Sequence, residues 1–164
     1  MRTLAGHTGF SPSFGSQVEL NQASPSIASL ERLATALGVP LGEFFGDGAA
    51  SAPPVTRAGR RRPLMSWWSR ARTETLTPPT PGWPFETLMI TIAAGGSSGK
   101  RPHAHPAHQF AMVFEGDVRL TLGTDVQILH RGDAVNVEPQ TPHRWENPGK
   151  TPTRLVVVTS RRAR

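Results

Sequence analysis

GKRPHAHPAHQFAMVFEG, residues 99–116, places two histidines and a glutamine at even spacing. On a β-strand the side chains of residues i and i+2 point to the same face. His103 and His105 are therefore expected to look into one interior together. Gln109 keeps the same parity, but a proline lies between it and the histidines, so a turn must intervene.

A second stretch, GDAVNVEPQTPHRWEN at residues 132–147, adds His143. Imidazole nitrogens with one oxygen ligand suit a divalent transition metal such as Fe, Mn, Ni, Cu or Zn. A glutamine oxygen is neutral and weaker than a carboxylate, so this site would hold the ion less tightly. Two interpretations stay open: a bound metal, or histidines that hydrogen-bond an organic ligand. The candidate metal ligands are His103, His105, Gln109 and His143.

The two stretches resemble the two-part signature of the cupin superfamily, whose first motif is written G-x5-H-x-H-x3-4-E-x6-G. Gly116 closes the first motif, and Gly132-Asp133 and Asn147 bracket the second. Gln109 stands where the family has Glu. The resemblance covers residues 84–160 and implies a small β-barrel, a double-stranded β-helix or jelly roll, in which these side chains ring one metal.

The texture of the C-terminal region agrees with a barrel. Short segments rich in β-branched residues alternate with turns, which is typical of an antiparallel sandwich or barrel. The segment 65–83, which holds three tryptophans, is expected to supply an outer strand and a lid over one sheet. The predicted strands are ETLMITIA, FAMVFEG, VRLTLG, VQILH, AVNV and TRLVVVTS.

Residues 24–37, SPSIASLERLATAL, have the periodicity of an amphipathic helix. Ser24 is a suitable N-cap and Pro25 fits the first helical position, where its missing N–H has no cost. Gly38 is expected to end the helix. The predicted apolar face comprises Ile27, Leu30, Leu33, Ala34 and Leu37.

Residues 3–45 resemble the helix-turn-helix of the lambda-repressor-like XRE family of regulators. The match rests on Leu4-Ala5, Thr8-Gly9, Ser11, Ser16-Gln17, Val18-Glu19, Pro25-Ser26, Leu30, Ala34 and Ala36-Leu37-Gly38-Val39. The resemblance implies a recognition helix over residues 11–20 that lies in the DNA major groove. The residues expected to face DNA are Ser11, Pro12, Ser13, Ser16 and Gln17.

The chain departs from the helix-turn-helix pattern at its start. The family's first helix precedes the motif, where this chain has only Met1 and Arg2, and Gly15 occupies a position that is normally apolar. Three explanations are open: a start codon placed too late, a decaying DNA-binding domain, or a set of four helices that a partner subunit completes.

Composition excludes several classes of protein. The chain has 164 residues, no cysteine and a net charge of +6, so disulfides are excluded and a polyanionic partner is favoured. No stretch approaches the about 18 apolar residues of a membrane span. The N-terminus lacks the apolar core of a signal peptide, so a cytoplasmic protein is expected.

Arg57, Arg60, Arg61 and Arg62 fall in a proline-rich segment that is typical of a flexible linker.

The sequence thus predicts an α+β chain with a short all-α N-terminal domain and an all-β C-terminal domain. The expected boundaries are 1–47 for the partial helix-turn-helix, 48–64 for the basic linker, 65–160 for the cupin barrel and 161–164 for a basic tail.

The expected function is a DNA-binding transcriptional regulator, not an enzyme, whose cupin domain senses a small molecule. Its expected partners are double-stranded DNA, an unidentified effector and a second copy, joined through residues 65 onward. Arg101, Arg119 and Arg144 are candidates for an anionic effector. Two alternatives stay open: a metal-dependent cupin enzyme of the dioxygenase or isomerase type, and a ligand-binding cupin with a non-functional DNA-binding remnant.

Overall fold

The computed structural model describes residues 11, 13, 16, 17, 20, 25–39, 41, 55–61, 63–66, 70–77 and 83–161. Helix α1 is Ile27–Leu37, and a single 3-10 turn follows at Ala58–Arg60. The strands are β1 Pro63–Ser66, β2 Ala71–Thr75, β3 Phe85–Ile92, β4 Gln109–Glu115, β5 Val118–Leu122, β6 Asp125–Leu129, β7 Ala134–Val137, β8 His143–Glu146 and β9 Thr153–Ser160.

The strands form two antiparallel sheets. The larger has the order β1-β2-β3-β9-β4-β7, and the smaller has the order β6-β5-β8. Side chains from both sheets share one apolar core, for example Ile92 and Leu155 from the larger sheet and Leu120 and Trp145 from the smaller. The predicted α+β chain with an all-β C-terminal part is therefore confirmed.

The strand predictions were right for six strands and missed three. β3 to β7 and β9 lie on the predicted segments, whereas β1, β2 and β8 were not identified individually. β1 begins at Pro63, inside the segment predicted as linker. The outer strand expected from residues 65–83 corresponds to β2, which pairs with β3.

Alternation along the strands decides which side chains enter the barrel. β9 buries every second residue, and β4 buries Gln109 together with Ala111 and Val113. In β8 the buried residues are His143 and Trp145. Because side chains of a strand alternate between faces, Gln109 and His143 both belong to the inner faces of their sheets.

Helix α1 begins later than predicted. The side chain of Ser26, not Ser24, is the N-cap, and it accepts a hydrogen bond of 3.0 Å from the Ser29 N–H. The predicted cap is wrong because a serine two residues later reaches the first free N–H groups, which places the proline before the helix. Gly38, with φ of 68°, ends α1 in the left-handed conformation as predicted.

The buried face of α1 packs against the barrel. Ile27 joins the main core, and Leu30, Ala34 and Leu41 form a smaller cluster with Leu88 of β3. The backbone takes part as well, since Ala28 N–H donates to the Ser98 carbonyl at 3.2 Å. The helix lies close to the backbone at Gly99, since a Cβ added there would lie 3.0 Å from the Ala28 Cβ.

The orientation of α1 differs from the predicted face at two residues. Leu37 is 52% exposed, although it was expected to be buried. Glu31, a charged residue outside the predicted apolar face, is only 7% exposed. The buried face of the helix therefore includes Glu31, whose carboxylate contacts His103.

Two residues of the motifs support turns. Gly116 has φ of 74°, and a Cβ there would lie 3.2 Å from the Thr153 side chain. Asn147 donates from Nδ2 to the carbonyls of Ile92 and Thr151, and its Oδ1 accepts from Gly149 N–H, all at 2.8 Å. Both motif residues therefore have a structural explanation.

The packing of α1 can be tested with two leucines of the same helix. We expect Leu30→Ala to lower the free energy of unfolding by about 2–5 kcal/mol, because it removes buried apolar volume. Leu37→Ala is the matched control and should cost roughly 0.5 kcal/mol or less, since its side chain is already exposed. Urea unfolding monitored by circular dichroism measures both, and equal destabilisation would contradict the docking of α1.

Candidate functional site

The candidate site lies where the two histidine stretches meet. His103 N–H donates to the His143 carbonyl at 3.0 Å, and His143 N–H donates back to the His103 carbonyl at 2.9 Å. This reciprocal pair brings the imidazole ring centroids to 4.8 Å from each other, with the ring planes at 43°. The predicted strand over residues 103–105 is not formed, since His103 makes only an isolated bridge.

Helix α1 contributes a residue to this site that the sequence did not predict. The Glu31 carboxylate contacts His103 Nε2, although 72 residues separate them in the chain. Both side chains are 8% exposed, so the contact is an ion pair shielded from water. Glu31 is not among the residues of the predicted apolar face, and no local pattern indicates a partner so distant in sequence.

The pKa directions describe a charged pair beside a neutral histidine. Burial raises the pKa of Glu31, but the charge and hydrogen bond of His103 outweigh it, and the net pKa is lowered. Burial likewise lowers the pKa of His103, yet the charge and hydrogen bond of Glu31 raise it above its usual range. Burial and the charge of His103 lower the pKa of His143.

Hydrogen-bond partners indicate the tautomers of the other two histidines. His143 Nδ1 lies 3.1 Å from the Thr141 carbonyl, which only accepts, so Nδ1 carries the proton and Nε2 has a lone pair. His105 Nδ1 accepts the Ala107 N–H at 3.1 Å, so the neutral ring carries its proton on Nε2. A histidine that binds a metal through Nε2 needs a lone pair on Nε2 and its proton on Nδ1. His143 has this arrangement and His105 lacks it.

Gln109 is buried on the inner face of β4 and uses only half of its amide. Its Nε2 donates to Thr159 Oγ1 at 3.2 Å, while Oε1 has no hydrogen-bond partner among the described residues. His103 Nδ1 is also buried and without a partner there. Buried polar atoms are normally satisfied, so both atoms indicate a place where a polar ligand could bind.

The described residues do not fit a metal ion as they stand. No group of three or more His, Cys, Asp or Glu side chains among them is arranged so that it could hold one. The donor chemistry is suitable, but Glu31 occupies Nε2 of His103 and His105 has the unfavourable tautomer. Metal binding by His103, His105, Gln109 and His143 stays a prediction.

The remaining candidates lie elsewhere. His108 is exposed and pairs with Glu138 at 3.2 Å. Arg144 donates to the Gly99 carbonyl at 2.8 Å and pairs with Glu146 at 3.1 Å. Its guanidinium therefore already has two partners within the protein.

The predicted DNA-facing residues are described in part. Ser13, Ser16 and Gln17 have helical backbone, and Leu20 N–H donates to the Ser16 carbonyl at 3.0 Å. Ser13 and Gln17 are exposed, as is Ser11, whose hydroxyl lies 2.9 Å from that of Ser13. Pro12 lies outside the described residues. The predicted contacts with DNA stay predictions.

Comparison with known proteins adds the family context. Residues 88–159 match the family described as cupin domain. The chain is 28% identical over 147 residues to the HTH-type transcriptional regulator SutR of Escherichia coli, which covers 90% of this chain and 78% of SutR. It is 23% identical over 146 residues to the HTH-type transcriptional regulator PuuR of the same organism, covering 89% of this chain and 78% of PuuR.

A solved structure shares the fold of nearly the whole chain. The HTH_3 family transcriptional regulator from Vibrio cholerae superposes with a TM-score of 0.73 at 18% identity, covering 98% of this chain and 85% of that protein. In this chain, no helix among the described residues is long and apolar enough to cross a membrane.

Elemental analysis of the purified chain tests the predicted metal site. The prediction expects a divalent metal that His105→Ala removes, because an imidazole ligand is lost. His108→Ala is the matched control and should keep the metal, since that exposed ring pairs with Glu138. A wild-type protein free of metal, or equal metal in both variants, would contradict the assignment.

Proposed function

Because the chain carries a cupin domain at residues 88–159 and is homologous to HTH-type regulators, we propose that it is a transcriptional regulator that binds DNA and a small molecule. The observation that carries this proposal is the extent of the match to SutR, which includes 90% of this chain and therefore both of its parts. A regulator of this kind acts in the cytoplasm and is not an enzyme.

The N-terminal part supplies the groups expected to read DNA. Gln17 is exposed on a helical segment, and a glutamine can pair with both N6 and N7 of adenine in the major groove. Ser13 and Ser16 can donate to phosphate or base edges. Arg57 and Arg60, which are exposed after the N-terminal part, support the attraction to phosphate that dominates affinity.

The C-terminal part supplies the sensor. Inside the barrel, His143 Nε2 offers a lone pair, and Gln109 Oε1 and His103 Nδ1 lack partners among the described residues. A small polar molecule could satisfy these atoms, which supports a ligand pocket. The same atoms favour the second candidate function, a barrel that binds its ligand without reading DNA.

We also propose a homodimer formed through the barrels, since helix-turn-helix regulators that read two half-sites need two-fold symmetry. The outer face of β4 and β9 supports this interface. Phe110 and Phe114 are 40% and 48% exposed, and Val156 and Val158 lie beside them on the same face. Exposed apolar side chains grouped on one face are typical of a protein interface, and here Arg154 lies over the Phe114 ring.

DNA reading is tested by titrating labelled upstream DNA of the gene, and random DNA, across a salt series. We expect Gln17→Ala to weaken binding to the upstream DNA by about 5- to 150-fold, the loss of one bidentate base contact. The salt slope should stay unchanged, because no phosphate contact is removed. Gln127→Ala, an exposed glutamine of the barrel strand β6, is the control and should bind like the wild type.

The outcomes of this titration separate the two candidate functions. Sequence-selective binding by the wild type that Gln17→Ala weakens supports the regulator. Weak binding that is equal on both DNAs and falls steeply with salt would contradict it, and would favour the barrel that binds a ligand alone.

The dimer is tested by light scattering after size-exclusion chromatography. We expect the double substitution Phe110→Lys and Phe114→Lys to raise the dissociation constant of the dimer at least about tenfold, because it buries unpaired charges in the interface. Val126→Lys with Ile128→Lys is the control, since these side chains are similarly exposed but lie on β6 of the other sheet. A wild-type monomer, or dissociation by the control alone, would contradict the proposed interface.

A further inference from the structure

A carboxylate of the N-terminal part sits on the histidine pair of the barrel. Glu31 belongs to α1, within the segment that resembles a helix-turn-helix, and its carboxylate contacts His103 Nε2. His143 lies beside this pair, with its ring centroid 4.8 Å from that of His103. The carboxylate that reaches the histidine pair therefore comes from α1, whereas the first motif of the barrel has a neutral glutamine, Gln109.

The ion pair is one of several contacts that dock α1. The helix already buries Ile27, Leu30 and Ala34 and donates a backbone hydrogen bond from Ala28 to the Ser98 carbonyl. Replacing a buried ion pair by apolar side chains is often neutral or stabilising, so stability alone does not account for Glu31 and His103. Removal of one partner from a buried ion pair is, by contrast, strongly destabilising, so displacement of Glu31 from His103 would weaken the docking of α1.

The barrel offers more polar atoms than Glu31 uses. One oxygen of its carboxylate contacts His103 Nε2, whereas Gln109 Oε1 and His103 Nδ1 remain buried without partners in the described part of the chain. His143 Nε2 carries a lone pair, since Nδ1 holds the proton. A free molecule with a carboxylate and a nearby hydroxyl or ammonium donor could satisfy groups that a tethered side chain does not.

We propose that the barrel binds a small carboxylate ligand that replaces Glu31 at His103 and thereby releases α1. Glu31 is then a competitor that is part of the chain itself, and in the absence of ligand it helps to keep α1 docked on the barrel. The consequence for DNA rests on the proposed function, since it treats α1 as part of the DNA-reading segment. Ligand and docked helix exclude each other at one imidazole, so binding at the barrel changes the freedom of the N-terminal part.

Titration of the full chain with sodium acetate and sodium glycolate tests the competition. Sodium chloride keeps the ionic strength constant, and calorimetry measures the affinity. We expect Glu31→Gln to bind both carboxylates at least about tenfold more tightly than the wild type. In the wild type the Glu31 carboxylate occupies the site for part of the time and competes with the added carboxylate. Glycolate should bind more tightly than acetate, because its hydroxyl can donate to Gln109 Oε1.

Two variants control for unspecific effects. Glu74→Gln removes another buried carboxylate, which is 6% exposed and pairs with Arg72 at 2.6 Å, and should bind like the wild type. His103→Gln removes the imidazole and should abolish binding with or without Glu31. Equal affinities of the wild type and Glu31→Gln would overturn the proposal.

Hydrogen exchange of the wild-type chain tests the release of α1 without any substitution. We expect acetate to accelerate exchange of the amides of residues 30–37 and to leave those of β9 unchanged, because only the helix loses a contact. Unchanged exchange in α1 at saturating acetate would overturn the proposal. This measurement also decides the matter if Glu31→Gln does not fold.

A metal ion is the competing explanation for the same residues. Zinc chloride, added alone, should bind the wild type no more tightly than Glu31→Gln if Glu31 only blocks the site. Tighter binding of zinc by the wild type would make Glu31 a ligand and overturn the proposal. None of these measurements uses DNA, so a failure of the ligand proposal is distinguishable from a failure of the regulator proposal.

Discussion

The reciprocal backbone hydrogen bonds between His103 and His143 determine the geometry of the site. They join the loop before β4 to β8, so that one imidazole comes from each histidine stretch and the ring centroids lie 4.8 Å apart. Once His103 is held there, its Nε2 is available to α1, and Glu31 reaches it. Glu31 of the helix therefore meets a pair of histidines rather than a single imidazole.

Local rules of sequence predicted the parts of this structure that depend on nearby residues. Segments rich in β-branched residues between turns predicted six of the strands, even spacing predicted the inward direction of Gln109, and Gly38 ended α1 as expected. The start of α1 was wrong because Ser24 and Ser26 are both good caps and packing chose between them. Glu31 was missed for a different reason: its burial depends on a partner 72 residues away, and a helical pattern carries no information about such a contact.

Gln109 stands where the cupin motif has Glu, and this difference is physically compatible with the burial of Glu31. A carboxylate at position 109 would be a second negative charge in the barrel, and burying charges without partners costs several kcal/mol each, as an order of magnitude. A neutral amide avoids that cost and hydrogen-bonds Thr159. In the part of the chain that the structure describes, the carboxylate paired with His103 comes from α1, so the charge balance of the site depends on whether the helix is docked.

Helix α1 is docked by apolar contacts and by one ion pair. The share that the ion pair contributes limits how strongly the barrel and the N-terminal part can be coupled. Apolar contacts of Leu30 and Ala34 with Leu88 are non-directional and stay available in every charge state of the site. The ion pair is directional and is lost completely when another group takes His103. A ligand can shift the docking equilibrium only by its differential affinity for the two states, so the coupling cannot exceed what Glu31 contributes to docking. Couplings between sites are commonly about 1–3 kcal/mol, a range that one displaced ion pair can supply while the barrel itself stays folded.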